Sequence, residues 1–148
     1  MGLAMAGLSS VNAQVEDDGP YWASIRAEKV NMRVGPAGTY PIEWVYTRPG
    51  LPMRVLRREE GWRLVEDPDG SKGWVIGRFL ARDRTAIVIG KGLAAMHASD
   101  EPNSPLEWRL EPGVIGALGD CDAGWCRFTV GKRSGYVRAE RLWGDGDP

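Results

Sequence analysis

The sequence is poor in the side chains that do chemistry. Among its 148 residues there is one histidine, His97, and there are two cysteines, Cys121 and Cys126. Those three groups fall short of the full tetrahedral ligand set of a structural zinc site, so neither a metal nor a cofactor is expected. A Ser/His/Asp or Cys/His centre would have to recruit His97, which reads as an exposed loop histidine. Carboxylate pairs such as Glu59-Glu60 and Asp67/Asp69 lie in turns with no apolar surround to raise a pKa. No glycine loop leads into a Lys and a helix start, which excludes a phosphate-cradling loop. The expectation is a protein that is not an enzyme.

Long apolar runs are also missing. None approaches the roughly 20 residues of a membrane-spanning helix. Nor does charge of one sign dominate. Residues 1–19 carry three acids and no base, residues 20–83 eleven Lys/Arg against eight Asp/Glu, and residues 84–148 eight against nine. Nucleic-acid binding needs a dense basic field, and none is present. No window sustains a 3.6-residue apolar stripe, so helix is limited to a short turn near Gly77 to Leu80.

What the chain does have is tryptophan, seven of them, set among twenty glycines and ten prolines. Gly61-Trp62-Arg63-Leu64-Val65 and Gly73-Trp74-Val75 flank a linker, Glu66 to Lys72, made almost wholly of turn formers. This reads as a hairpin in which glycine supplies an unusual backbone angle and the aromatic drops onto the buried face. The design returns as Gly124-Trp125-Cys126 and Gly135-Tyr136-Val137. Trp62, Trp74, Trp125 and Tyr136 are accordingly expected to root strands in a core. Cys121 and Cys126 would end one strand and begin the next, facing each other at disulfide distance.

Further strands are expected across Tyr21 to Val34, with a change of phase near Glu28-Lys29, and over Ile42–Tyr46, Leu51–Arg58 and Ala86–Ile89. Leu106 to Gly113 aligns with Glu43 to Gly50, Pro-Gly landing on Pro-Gly, and that register sets Trp125 on Trp62. One residue of slip then sets Tyr136 on Trp74 and Leu142 on Leu80. Shared register over so much of a unit identifies a tandem repeat. Units this small gain from packing together, and the connection Ala81 to Thr85 is too short for beads on a string.

The amino terminus is small and apolar, then abruptly polar. Val11-Asn12-Ala13 fits a signal-peptidase site, with cleavage after Ala13. The expected organisation is a partial signal peptide over 1–13, a disordered lead-in over 14–20, repeat 1 over 21–83 and a degenerate repeat 2 over 84–145. Export to the periplasm or beyond would let the disulfide form.

The run Val30-Asn31-Met32-Arg33-Val34-Gly35-Pro36, with Pro49-Gly50, Gly61-Trp62 and Gly70-Ser71-Lys72-Gly73-Trp74-Val75 after it, resembles the bacterial SH3-like family. The likeness extends from Tyr21 to Trp143, although the second unit has Ala94 to Ser99 in place of the Asn-x-Arg-x-Gly-Pro element. The resemblance implies an all-β fold of two tandem small antiparallel barrels packed together, with no activity of their own. It also implies binding of cell-wall peptides or docking of an envelope protein.

Within that frame Tyr40, Trp44 and Tyr46 form a candidate aromatic groove for an extended peptide, with core packing as the alternative. Arg33 reads either as a grip for a ligand carboxylate or as scaffold bonded to loop carbonyls. Asn31 and Gly35 read as scaffold. Partners are thus a cell-wall peptide or an envelope protein, without nucleic acid and without a membrane span.

Overall fold

The computed structural model describes residues 19–148. The expected signal peptide, and the lead-in up to residue 18, lie outside the described residues.

The chain forms two antiparallel sheets of the same plan. The first contains β1 (Tyr21–Ile25), β2 (Val30–Arg33), β3 (Ile42–Tyr46), β4 (Pro52–Glu59), β5 (Trp62–Glu66), β6 (Lys72–Ile76) and β7 (Leu80–Ala81). The second contains β8 (Thr85–Val88), β9 (Ala94–His97), β10 (Leu106–Leu110), β11 (Ile115–Asp122), β12 (Trp125–Val130), β13 (Arg133–Arg138) and β14 (Leu142–Trp143). Strand order is β3-β2-β6-β5-β4-β1-β7 in one and β10-β9-β13-β12-β11-β8-β14 in the other. A single 3-10 turn, Gly77–Phe79 or Ala139–Arg141, precedes the last strand of each. The fold is all-β and duplicated, as expected. The phase change near Glu28 is a corner: β1 lies between β4 and β7, whereas β2 lies between β3 and β6.

Alternation along the strands fills each interior with aliphatic and thioether side chains. Ile25, Val30, Met32, Met53, Val55, Val65 and Val75 pack in the first core, and Ala86, Val88, Ala94, Met96, Phe128 and Val137 in the second. One exchange between the repeats is complementary in shape. Strand pairing sets Gly116 and Phe128 where the first unit has Met53 and Val65. A Cβ on Gly116 would lie 2.7 Å from Cζ of Phe128, so the larger ring occupies the space of the missing side chain.

The tryptophans take a different place from the one expected. Trp74 and Trp125 are buried, but neither belongs to a barrel core, and Trp62 is half-buried. Trp74 pairs with Leu64 and Arg33, one residue out of phase with the core residues Val65 and Val75. Arginines cover these outward rings: Arg57 stands 5.1 Å above Trp74 and Arg138 4.1 Å above Trp125. The stack hides apolar surface without interior volume. Tyr136 is half-buried, with Arg127 5.6 Å from its ring.

The turn glycines also divide by cause. In the β4–β5 turn Glu60 takes the positive φ of 51°, not Gly61. In the β11–β12 turn both Ala123 and Gly124 are left-handed, at 49° and 84°, the pattern of a tight two-residue hairpin. Gly73 and Gly135 lie inside strands and serve by their size. A Cβ there would meet the side chain of Met32 at 2.5 Å or of Met96 at 2.4 Å.

The disulfide joins Cys121 to Cys126, which face each other directly across β11–β12 with 4.0 Å between Cα atoms. The repeat register needs one correction. Met32 pairs with Trp44 and Met96 with Trp108, so Trp108 corresponds to Trp44 and not to Val45. The second repeat is one residue shorter between that strand and the Pro-Gly turn, which shifted the linear alignment.

The two units share a largely apolar seam. Ile87 of the second is buried in the core of the first, and Ile115 and Trp143 pack against the same cluster. Trp22 and Trp143 meet edge to face at 5.0 Å, with Arg54 over both rings. Trp22 Nε1 donates to the Gly146 carbonyl at 2.8 Å, and Thr85 Oγ1 to that of Gly50 at 2.7 Å.

Candidate ligand cleft

Strand β3 is the free edge of the first sheet, and its side chains stand largely in solvent. Trp44 is 59% exposed although its pairing partner Met32 is in the core. The indole therefore overhangs the mouth of the barrel. Beneath it opens a cleft of about 300 Å³, with Tyr46, Leu51 and Asp67 in its floor. Pro68 and Asp69 form one wall, and Ile87 and Arg48 the side nearest the second unit. Arg48 Nη2 donates to the Gly113 carbonyl at 2.8 Å, closing that end.

Tyr46 is only 5% exposed. Its hydroxyl donates to Asp67 Oδ2 at 2.9 Å and lies 3.2 Å from Met32 Sδ. Burial raises the phenol far above its usual pKa, and the hydrogen bond and negative charge of Asp67 push it the same way. Asp69 and Glu43 add smaller contributions of the same sign. Tyr46 is thus a neutral phenol at any ordinary pH. Asp67 is buried too, and fully engaged. Its Oδ1 accepts the backbone N–H groups of Asp69 and Ser71, both at 2.9 Å, which folds the β5–β6 turn into the cleft wall.

The expected aromatic trio is only partly assembled. Trp44 and Tyr46 line the same cleft, one at the rim and one in the floor. Tyr40 stands apart, packed over Gly35, where a Cβ would come within 2.5 Å of its ring. Arg33 Nη1 donates to the Tyr40 carbonyl at 2.8 Å, tying down the loop between β2 and β3. Asn31 lies on β2 opposite Val45. His97 ends strand β9 rather than lying in a loop, its Nδ1 3.0 Å from the Ser104 carbonyl and its ring edge on Trp125. Asp67, Pro68, Arg48 and Ile87 were not legible as cleft residues. The only hint was the turn run Asp67-Pro68-Asp69-Gly70-Ser71, which says where the chain reverses but not what it faces.

The repeats differ at this site. Where the first has Tyr46 and Asp67, strand pairing puts Leu110 and Val130, both against the second core. Trp108 stands where Trp44 does, but Arg133 Cζ lies 3.6 Å from its ring centre. The second unit lacks the polar floor, and its indole, 39% exposed against 59% for Trp44, lies under an arginine.

The sequence profile of the bacterial SH3 domain matches residues 26–80 and again residues 90–144. The chain belongs to the bacterial SH3 domain family. Its two sheets are tandem copies of that domain. The chain is similar to YrvJ of Bacillus subtilis, provisionally named an N-acetylmuramoyl-L-alanine amidase. The two are 26% identical over 136 residues, an alignment covering 84% of this chain and 26% of that protein. Among solved structures it is similar to NlpC2 from Trichomonas vaginalis, with 11% identity, TM-score 0.39, and 86% of this chain and 49% of that one covered. It is also similar to an NlpC/P60 family protein from Bacillus cereus, with 11% identity, TM-score 0.37, and 82% and 55% covered. The tandem domains thus span about a quarter of the curated relative and about half of these solved chains.

Proposed function

We propose that this chain is a non-catalytic binding module of the bacterial envelope, and that the cleft of the first SH3-like unit holds an extended peptide, the stem peptide of peptidoglycan in particular. The observation that carries the proposal is the open indole of Trp44 above a cleft with apolar and acidic walls. A rigid ring over a preformed cleft binds extended chains at little entropic cost. The amidase name carried by the Bacillus subtilis relative supports a wall ligand, and the disulfide supports a site outside the cytoplasm. The non-catalytic part rests on the engaged state of the reactive groups. Both thiols are in the disulfide and His97 is held against Trp125. The division at 21–83 and 84–145 belongs to the same reading. Calorimetric titration with purified muropeptides tests it: the wild-type chain should give a saturable heat that Trp44→Ala abolishes.

A second reading has its own support. Ile42 and Val45 are exposed on that edge strand and Val34 in the loop leading to it, which suits docking of an envelope protein by strand addition. A stoichiometric protein recovered from envelope extract, with muropeptides silent, would favour that reading.

A further inference from the structure

Five of the seven tryptophans carry an arginine over the ring. Arg54 lies over Trp22 and Trp143, Arg57 over Trp74, Arg138 over Trp125 and Arg133 over Trp108. Trp44 is the most exposed of the seven, and among the described residues no guanidinium stacks on it. Its counterpart Trp108 shows what such a ring attracts. Arg133, 3.6 Å from that ring, opens β13 directly after the turn Gly131-Lys132. Gly73 and Gly135 fix the register between the two hairpins, and that register sets Arg133 where the first unit has Ser71. Ser71 ends the turn whose Pro68 and Asp69 wall the Trp44 cleft. The corresponding turns therefore differ in sign. One carries Lys132 and Arg133 and lays a cation on its indole; the other carries Asp67 and Asp69 beside an uncovered one.

The charges around the cleft are not all free. Asp67 is occupied by the Tyr46 hydroxyl and two backbone N–H groups. Arg48 is turned to the seam, with Nη2 on the Gly113 carbonyl. Asp69 is exposed and lines the cleft, and its carboxylate has no partner among the described residues.

We propose that the Trp44 cleft takes an ammonium group of its peptide ligand, held on the indole face and by the Asp69 carboxylate, much as the second unit holds its own Arg133. The proposal rests on the reading of the cleft as a peptide site and names the charge it selects. Indole is the ring whose face draws a cation most strongly, and a free carboxylate alongside adds charge-assisted hydrogen bonds. The amino terminus of a peptide and the side chain of a diamino acid offer the same group.

The test is calorimetric titration of the full chain with a synthetic stem tetrapeptide, lysine at its third position, in four forms: both amines free, each acetylated in turn, and both acetylated. The free form should bind about tenfold more tightly than the doubly acetylated one. A loss confined to one of the singly acetylated forms names that amine as the source. Asp69→Asn should weaken the free form about threefold and leave the doubly acetylated form as it was. The turn survives that change, because Asp69 gives it only a backbone N–H. Ser71→Arg, at an exposed position, supplies the first unit with the second unit's cation and should remove the preference. Tryptophan fluorescence checks that each variant is folded. Equal affinity for all four forms, in a chain whose binding Trp44→Ala abolishes, overturns the ammonium site alone. Silence with all four overturns the cleft reading and the ammonium site with it. Wild-type discrimination in folded Asp69→Asn and Ser71→Arg would also overturn the site.

Discussion

The hydroxyl of Tyr46 donates to the carboxylate of Asp67 across 2.9 Å in the floor of the cleft. Both residues are buried, and in the second repeat both are replaced together, by Leu110 and Val130. A polar pair that vanishes as a pair is the expected pattern, since losing one partner strands the other while losing both is nearly neutral. Tyr46→Phe should therefore cost about 1–3 kcal/mol in denaturant unfolding. The double variant Tyr46→Leu/Asp67→Val should be more stable than the sum of its single variants, and a double-mutant cycle measures the difference.

The same pair sets an alkaline limit. The phenol is raised in the folded state, so it keeps its proton there when an unfolded tyrosine has lost it. Its contribution to stability is complete below the unfolded value near about pH 10 and declines above it, by up to about 1.4 kcal/mol per pH unit. Unfolding of the wild type followed from pH 9 to 11.5 should show that decline, and Tyr46→Phe should show less of it.

Ile87 is the residue by which the second unit enters the first core. Ile87→Ala should cost about 2–5 kcal/mol, the range for a buried aliphatic truncation. Because the seam is shared, the wild type should melt in one transition by calorimetry. In the Ile87→Ala variant the first unit should melt earlier.

The disulfide closes a short loop within one hairpin, so its effect should be local. Replacing Cys121 and Cys126 by serine should cost about 2 kcal/mol. Hydrogen exchange should quicken in β11 and β12, while the first unit keeps its protection.

Much of the fold was legible because alternation and turn chemistry are local properties. The duplicated strands, the cross-strand cystine and the close pairing of units could all be read along the chain. The direction of the tryptophans could not. Whether Trp74 points into a barrel or out beneath Arg57 depends on a core already filled by Val65, Val75 and Met32, which is a three-dimensional fact. Gly73 looked like a turn residue because its real reason, the Met32 side chain, comes from a strand some forty positions earlier. The cleft was half visible. Trp44 stands out in any reading, whereas Asp67 and Ile87 reach it only through the hairpin return and the seam between repeats.

The most direct test of the account is a nitrogen-labelled indole spectrum of the seven tryptophans, recorded while a peptidoglycan stem peptide is added. A bound peptide should shift the Trp44 signal in a saturable way and leave that of Trp108, stacked under Arg133 in a unit without the polar floor, where it was. A Trp44 signal that stays fixed at saturating muropeptide, or seven signals that drift alike, would contradict it.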